Sequence, residues 1–155
     1  MITKYVKGSI LDTECMYIAH GVNCQNVMGA GVAKVLYEKY PKVKEDYHRH
    51  CAFHIERKNK LLGGIDFSYQ VDNKLVVNCF TQDRYGSDGK RYVNYSAIVD
   101  CFKEMTFFSG VGGEIEGPIA IPKIGCGWAG GNWEFVEQLI NDTVGDQLEI
   151  WVYEL

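Results

Sequence analysis

Two glycine-rich segments carry the clearest chemistry in this sequence. The first runs Met28-Gly29-Ala30-Gly31-Val32-Ala33, and the second runs Ile124-Gly125-Cys126-Gly127-Trp128. Each joins an apolar, strand-like run to a helix-like run. Glycine permits positive φ and lets another molecule approach the backbone closely. Amides at such a turn, next to a helix N-terminus, form a cradle for phosphate. Two cradles on one small chain imply a ligand with more than one phosphate-like contact, such as a pyrophosphate.

His20 ends an apolar run just before the first glycine segment, which aims it at the same crevice. Near neutral pH a histidine can donate or accept a proton. A buried histidine with only a packing role is the alternative. Cys126 lies inside the second segment, but no histidine is near it in sequence, so a structural role is favoured over a nucleophilic one. His48, His50, Cys51 and His54 form a second polar cluster. His50 and His54 share a helix face, yet no glutamate completes an HExxH pattern. A solvated helix face is favoured there, and no metal or other cofactor is called for.

The elements that must position these groups are readable from periodicity. Strand signals fall at Lys4–Lys7, Met16–Val22, Gly64–Tyr69, Leu75–Phe80, Pro118–Pro122 and Glu149–Tyr153. Helix signals fall at Ala30–Tyr40, Val43–His54, Val93–Phe107 and Trp133–Val144. Val32, Val35 and Leu36 mark the apolar side of the first helix. Val43–His54 reads as a charged surface helix. Alternating strands and helices predict an α/β fold in three layers, with a mixed sheet flanked by helices on both faces. Ligands of such sheets sit beyond the strand C-terminal ends, where both glycine segments would meet. The turn-rich stretch Asp83–Arg91 should border the same crevice or form a solvated loop, and Lys90 in it is a mobile cation for phosphate. Ser109–Gly113 reads as a connector.

The chain has 155 residues, a length that predicts one domain spanning 1–155. Its formal net charge is -4, with no long basic run, which argues against tight nucleic-acid binding. No apolar run approaches a membrane span, and the first residues lack a signal-peptide core. Six cysteines without a CxxC pair read as reduced and mostly buried, as in a cytoplasmic protein.

Four ordered segments carry a resemblance. Tyr5-Val6-Lys7-Gly8-Ser9-Ile10-Leu11 resembles the first strand and turn of a macro domain, the fold that binds ADP-ribose. Met28–Ala33 resembles its first phosphate and ribose loop, Ile124–Gly127 its second, and Trp151–Leu155 its closing strand. The resemblance spans nearly the whole chain. Tyr40–Tyr47 and Val93-Asn94-Tyr95 are similar to the ADP-ribose-1''-phosphate phosphatases of the family. That branch also holds protein ADP-ribose glutamate hydrolases.

The resemblance implies a role for each matching residue. Ser9, Ile10 and Leu155 would meet the adenine. Asn23, Gly29, Ala30, Gly31 and Val32 would hold the distal ribose and one phosphate. Lys123, Ile124, Gly125, Cys126, Gly127 and Trp128 would hold the other phosphate, with Trp128 covering the ribose. His20 would act at the distal end, by protonating the leaving oxygen or orienting a water. Asp83 is a candidate carboxylate beside it. The glutamate hydrolases use a lysine after the fourth strand and an aspartate past the second loop. This chain has Gln82 and Ala129 at those positions, so lysine chemistry is not expected. The function implied is a metal-independent phosphatase acting on ADP-ribose-1''-phosphate. A non-catalytic reader, or an ADP-ribosyl hydrolase without the lysine, would serve the same loops. The expected state is a cytoplasmic monomer with a small-molecule ligand.

Overall fold

Strand β4 (Leu75–Gln82) organises the molecule, because seven of its eight residues are buried. Residues that alternate along a strand point to opposite faces. Leu75, Val77 and Cys79 therefore enter one apolar cluster, and Val76 and Phe80 enter the other. A strand buried on both faces must lie between two helical layers. The computed structural model describes residues 1–155 and has this three-layer α/β arrangement.

The other strands are β1 (Ile2–Lys7), β2 (Tyr17–Asn23), β3 (Ile65–Tyr69), β5 (Ile119–Ile121) and β6 (Ile150–Glu154). Their order across the sheet is β1-β6-β5-β2-β4-β3. Every neighbouring pair is parallel except β3 with β4. The mixed sheet thus presents the C-terminal ends of five parallel strands along one edge. The chain segments that follow β2, β4 and β5 all emerge there.

The helices are α1 (Gly31–Lys39), α2 (Pro41–Glu56), α3 (Tyr95–Phe107) and α4 (Trp133–Val144). Ile98, Phe102 and Met105 of α3 and Val136 and Ile140 of α4 pack with β5 and β6 in one core. Leu36 of α1 and Val43, Tyr47 and Cys51 of α2 pack on the opposite face. Every element predicted from the sequence is present, α4 with the predicted ends and the others with shifted ends. Helix α3 begins at Tyr95 rather than Val93, because the Asn94 side chain accepts a hydrogen bond from the Ala97 amide and caps it. Of the apolar residues assigned to α1, Leu36 is buried, Val32 packs against the core and Val35 is exposed.

Helix α2 differs from the surface helix its charges predict. Val43, Tyr47 and Cys51 recur every fourth residue and form one buried stripe. Asp46 is buried beside them and is fully engaged. It accepts from Ser68 Oγ at 2.7 Å and from Arg49 Nη1 at 2.6 Å. A buried carboxylate with two donors is compatible with a packed helix face, whereas an unpaired one is not.

Candidate functional site

The loop after β2 is built by its own polar side chains. Asn23 Oδ1 accepts from the Gln25 amide at 2.9 Å, and Asn23 Nδ2 donates to Val27 O at 2.8 Å. Tyr47 Oη, reaching up from α2, donates to Asn23 O at 2.8 Å and accepts from the Val27 amide at 3.2 Å. The loop is therefore clamped before it reaches Gly29. From its sequence context, Tyr47 falls on a charged surface helix. Its role as the loop's anchor needs the fold.

Helix α1 then starts without a cap. Helices α3 and α4 begin with Asn94 and Asn132, whose side chains accept from the first-turn amides. Ala30 at the same position of α1 has no side chain to do so. The amides of Gly31, Val32 and Ala33 consequently have no acceptor within the chain. The helix dipole adds about half a positive charge at this end. The second loop is shaped by Gly125, whose φ of +76° is a left-handed conformation. Gly125 O accepts from the Gly131 amide at 2.7 Å and Lys123 O from the Cys126 amide at 3.1 Å. The amides of Gly127 and Trp128 stay without an acceptor in the chain.

These two loops wall one cavity of about 680 Å³. That is within the size range of small-molecule sites, roughly 300–1,000 Å³. His20, Asn23, Gly29, Ala30, Gly31 and Val32 line it from one side. Lys123, Ile124, Gly125, Gly127 and Trp128 line it from the other. Tyr85, Gly86 and Ser87 close a third side, so the stretch after β4 does border the crevice. Tyr85 and Trp128 are 53% and 70% exposed and form an aromatic rim. Lys123 is the one permanently charged side chain of the lining, and no carboxylate belongs to it.

His20 is 1% exposed and sits in the cavity wall. Its Nε2 lies 2.5 Å from Asn78 Oδ1, while its Nδ1 is buried with no partner. Burial lowers its pKa to about 4, only partly opposed by the Asn78 contact. The imidazole is therefore neutral near pH 7, and it is a poor proton donor there.

Several candidate residues fall outside the cavity. Asp83 is exposed, and its carboxylate accepts from Gln25 Nε2 at 3.1 Å. Asp83 O also accepts from the Cys24 amide at 3.0 Å, so Asp83 braces the first loop and does not line the cavity. Ser9, Ile10 and Leu155 also do not line the cavity. Ser9 Oγ accepts from the Leu11 amide, Ile10 is buried in the α1/α2 core, and Leu155 is 95% exposed. They follow β1 and β6 on the same sheet edge, beyond the ion pair of Lys123 with Glu154. Cys126 is not in the lining either. Its thiol donates to Ile124 O at 3.3 Å, and burial pushes its pKa up to about 11, which leaves no thiolate for attack. Lys90 lies near Asp88, outside the lining. Gln82 and Ala129 do line the cavity.

The histidine cluster of α2 stands apart from this site. His50 and His54 stack at 4.3 Å between ring centroids, and His50 Nδ1 lies 3.4 Å from Asp66 Oδ1. No group of three or more metal-ligating side chains forms anywhere in the chain.

No family profile matches the chain. It is 33% identical to an uncharacterised 17.5 kDa protein of enterobacteria phage T4, over 99% of this chain and 97% of the phage protein. It is 28% identical to an ADP-ribose 1''-phosphate phosphatase of Candida albicans, over 97% of both chains. It is 26% identical to a DNA ADP-ribosyl glycohydrolase of Mycobacterium tuberculosis, over 89% of this chain and 37% of that protein. Among solved structures, a Bacteroides thetaiotaomicron protein of unknown function superposes with a TM-score of 0.83 at 27% identity, covering 100% of this chain and 98% of that one. A macrodomain protein of Streptomyces coelicolor superposes with a TM-score of 0.75 at 27% identity, covering 100% and 99%. Curated relatives and solved structures match along most or all of this chain, and the chain belongs to the macro domain family.

Proposed function

We propose that this chain binds ADP-ribose in the cavity and hydrolyses ADP-ribose-1''-phosphate to ADP-ribose and phosphate. One observation carries the reading: two glycine loops whose amides lack acceptors in the chain line a single cavity that His20 also lines. Amides of α1 would take one phosphate of the diphosphate, and those of Gly127 and Trp128 the other. The similarity to the Candida albicans phosphatase over the whole chain supports the reaction.

The neutral state of His20 favours one of its two possible roles. A histidine with a pKa near 4 cannot supply a proton efficiently at pH 7, but its bare Nδ1 can accept a hydrogen bond from water. In the proposed step that water attacks the 1''-phosphorus, and the bond from phosphorus to the C1'' oxygen breaks. The water's proton leaves through His20 to solvent, and the departing oxygen takes a proton from solvent. ADP-ribose and inorganic phosphate result.

The test is calorimetry with ADP-ribose, together with phosphate release from ADP-ribose-1''-phosphate, for wild type and His20→Ala. Binding by both proteins, with release by wild type alone, supports the reading. Equal release removes His20 from the reaction. Absence of binding removes the ligand. A non-catalytic ADP-ribose reader is the second reading, favoured by the lack of any carboxylate in the lining. Tight binding without turnover of any ADP-ribosyl substrate would select it.

A further inference from the structure

Three neighbouring strands place His20, Asn78 and Asp66 side by side. His20 of β2 pairs with Asn78 of β4, and Asn78 pairs with Asp66 of β3. Cross-strand partners share a face, so the three side chains form one row beneath α1 and α2. We propose that Asn78 and Asp66 are positioning residues for His20, holding its imidazole in the tautomer with the proton on Nε2 and the lone pair on Nδ1. The inference deepens the role given to His20 above and rests on that reading for its functional consequence.

The amide of Asn78 can face only one way in this row. Its Nδ2 lies 3.1 Å from Asp66 Oδ2 and 3.4 Å from Val43 O. A carboxylate and a carbonyl accept and do not donate. The donor end of Asn78 must therefore point at them, and its Oδ1 must point at His20. An oxygen 2.5 Å from Nε2 requires the proton to reside on Nε2. Nδ1 is then the acceptor, and it is the ring atom left without a partner.

Asp66 is the adjustable member of the row. It faces Asn78 from β4, and Asp46, Arg49 and His50 from α2, with His54 stacked behind His50. Arg49 is committed to Asp46. Burial raises the Asp66 pKa to about 6, only partly opposed by the Asn78 hydrogen bond, and burial beside His54 lowers that of His50 to about 4. Asp66, Arg49 and His50 also line a small cavity of about 230 Å³. Above pH 6 the carboxylate is a charged acceptor and the amide of Asn78 is pinned. Below it, a protonated Asp66 can donate as well, and the constraint relaxes.

Long-range proton–nitrogen NMR of the labelled whole protein reads the tautomer directly. At pH 7.5 wild-type His20 should carry its proton on Nε2. Asp66→Ala should give mixed tautomers and lower kcat for phosphate release about tenfold at unchanged KM. Asp66→Asn can donate as well as accept, so at every pH it should match wild type below pH 6, with no change in tautomer near pH 6. A proton on Nδ1 in wild type, or an unchanged tautomer in Asp66→Ala, would overturn the inference. If Asp66→Ala does not fold, wild-type spectra across the titration of Asp66 decide, and a constant tautomer there counts against it. If wild type releases no phosphate, the proposed reaction fails while the spectra still judge the row.

Discussion

Lys123 Nζ lies 2.7 Å from Glu154 Oε2, so the cavity's one permanent positive side chain is held by a carboxylate outside it. The pair is partly exposed, which limits its worth to about 1 kcal/mol or less. It still restrains the cation that an incoming diphosphate would meet. Glu154→Gln should release Lys123 and tighten ADP-ribose binding about two- to fivefold. Lys123→Gln should weaken binding by a similar factor and flatten its salt dependence. Calorimetry at two salt concentrations measures both, and a tighter Lys123→Gln variant would contradict the assignment.

The glycines of the second loop should separate stability from binding. A Cβ on Gly125 would lie 2.5 Å from Val93 Cγ2, at a φ that side chains rarely adopt. Gly125→Ala should therefore cost about 2 kcal/mol or more and deform the loop. Gly127 and Gly29 have nothing within 4 Å of their Cβ positions, and both line the cavity. Gly127→Val and Gly29→Val should melt near the wild-type temperature yet bind ADP-ribose at least tenfold more weakly. Thermal melts beside calorimetry check the contrast, and it fails if the latter pair loses stability as severely as Gly125→Ala.

Legibility in the sequence followed locality. Runs such as Leu75–Phe80 and Trp133–Val144 announce their elements because periodicity is a local property. The glycine loops announce themselves because few other residues tolerate such turns. The stretch after β4 could be read from its place after a strand either as a crevice border or as a solvated loop, and the structure has it line the cavity. What escaped is long-range. Tyr47 clamps Asn23 across 24 positions, and the row from His20 through Asn78 to Asp66 exists only once β2, β4 and β3 are in register. Asp83 misled for the opposite reason. It is near the site in sequence, but its carboxylate accepts from Gln25 and does not line the cavity. The charges of α2 hid a buried stripe, because its polar residues outnumber Val43, Tyr47 and Cys51.

Acid should loosen this fold through its histidines. The folded-state pKa of His20 is about 4, below its ordinary 6.5, so the unfolded chain takes up the proton first as pH falls. The stability held above 6.5 is lost between 6.5 and 4, roughly 3 kcal/mol for His20 alone. His50 acts in the same direction. Asp66 acts oppositely: its folded pKa of about 6 lies above the ordinary 3.8, so the folded state takes that proton first and gains stability as pH falls through 6. Urea midpoints near pH 7 and near pH 5 should show a drop for wild type. The drop should be larger for Asp66→Asn, which loses the compensating carboxyl. A smaller drop in that variant would reverse the assignment of Asp66.

Gln82 and Ala129 both line the cavity, at the end of β4 and past the second glycine loop. The resemblance implies that these are the positions where the glutamate hydrolases use lysine and aspartate. Gln82 Nε2 donates to Arg84 O at 2.9 Å, an amide contact with no nucleophilic capacity. If the cavity holds the distal ribose as proposed, the walls already place both positions beside it, and only the side chains are missing. Gln82→Lys with Ala129→Asp should then release ADP-ribose from an ADP-ribosylated glutamate substrate, and either change alone should do far less. A lysine that attacks C1'' passes through a Schiff base, so borohydride should trap a covalent ADP-ribose adduct on the double variant and none on wild type. Release by wild type at the rate of the double variant would show that the lysine-independent route already operates in this cavity. An inert double variant that still binds ADP-ribose would mean that the distal ribose lies out of reach of position 82.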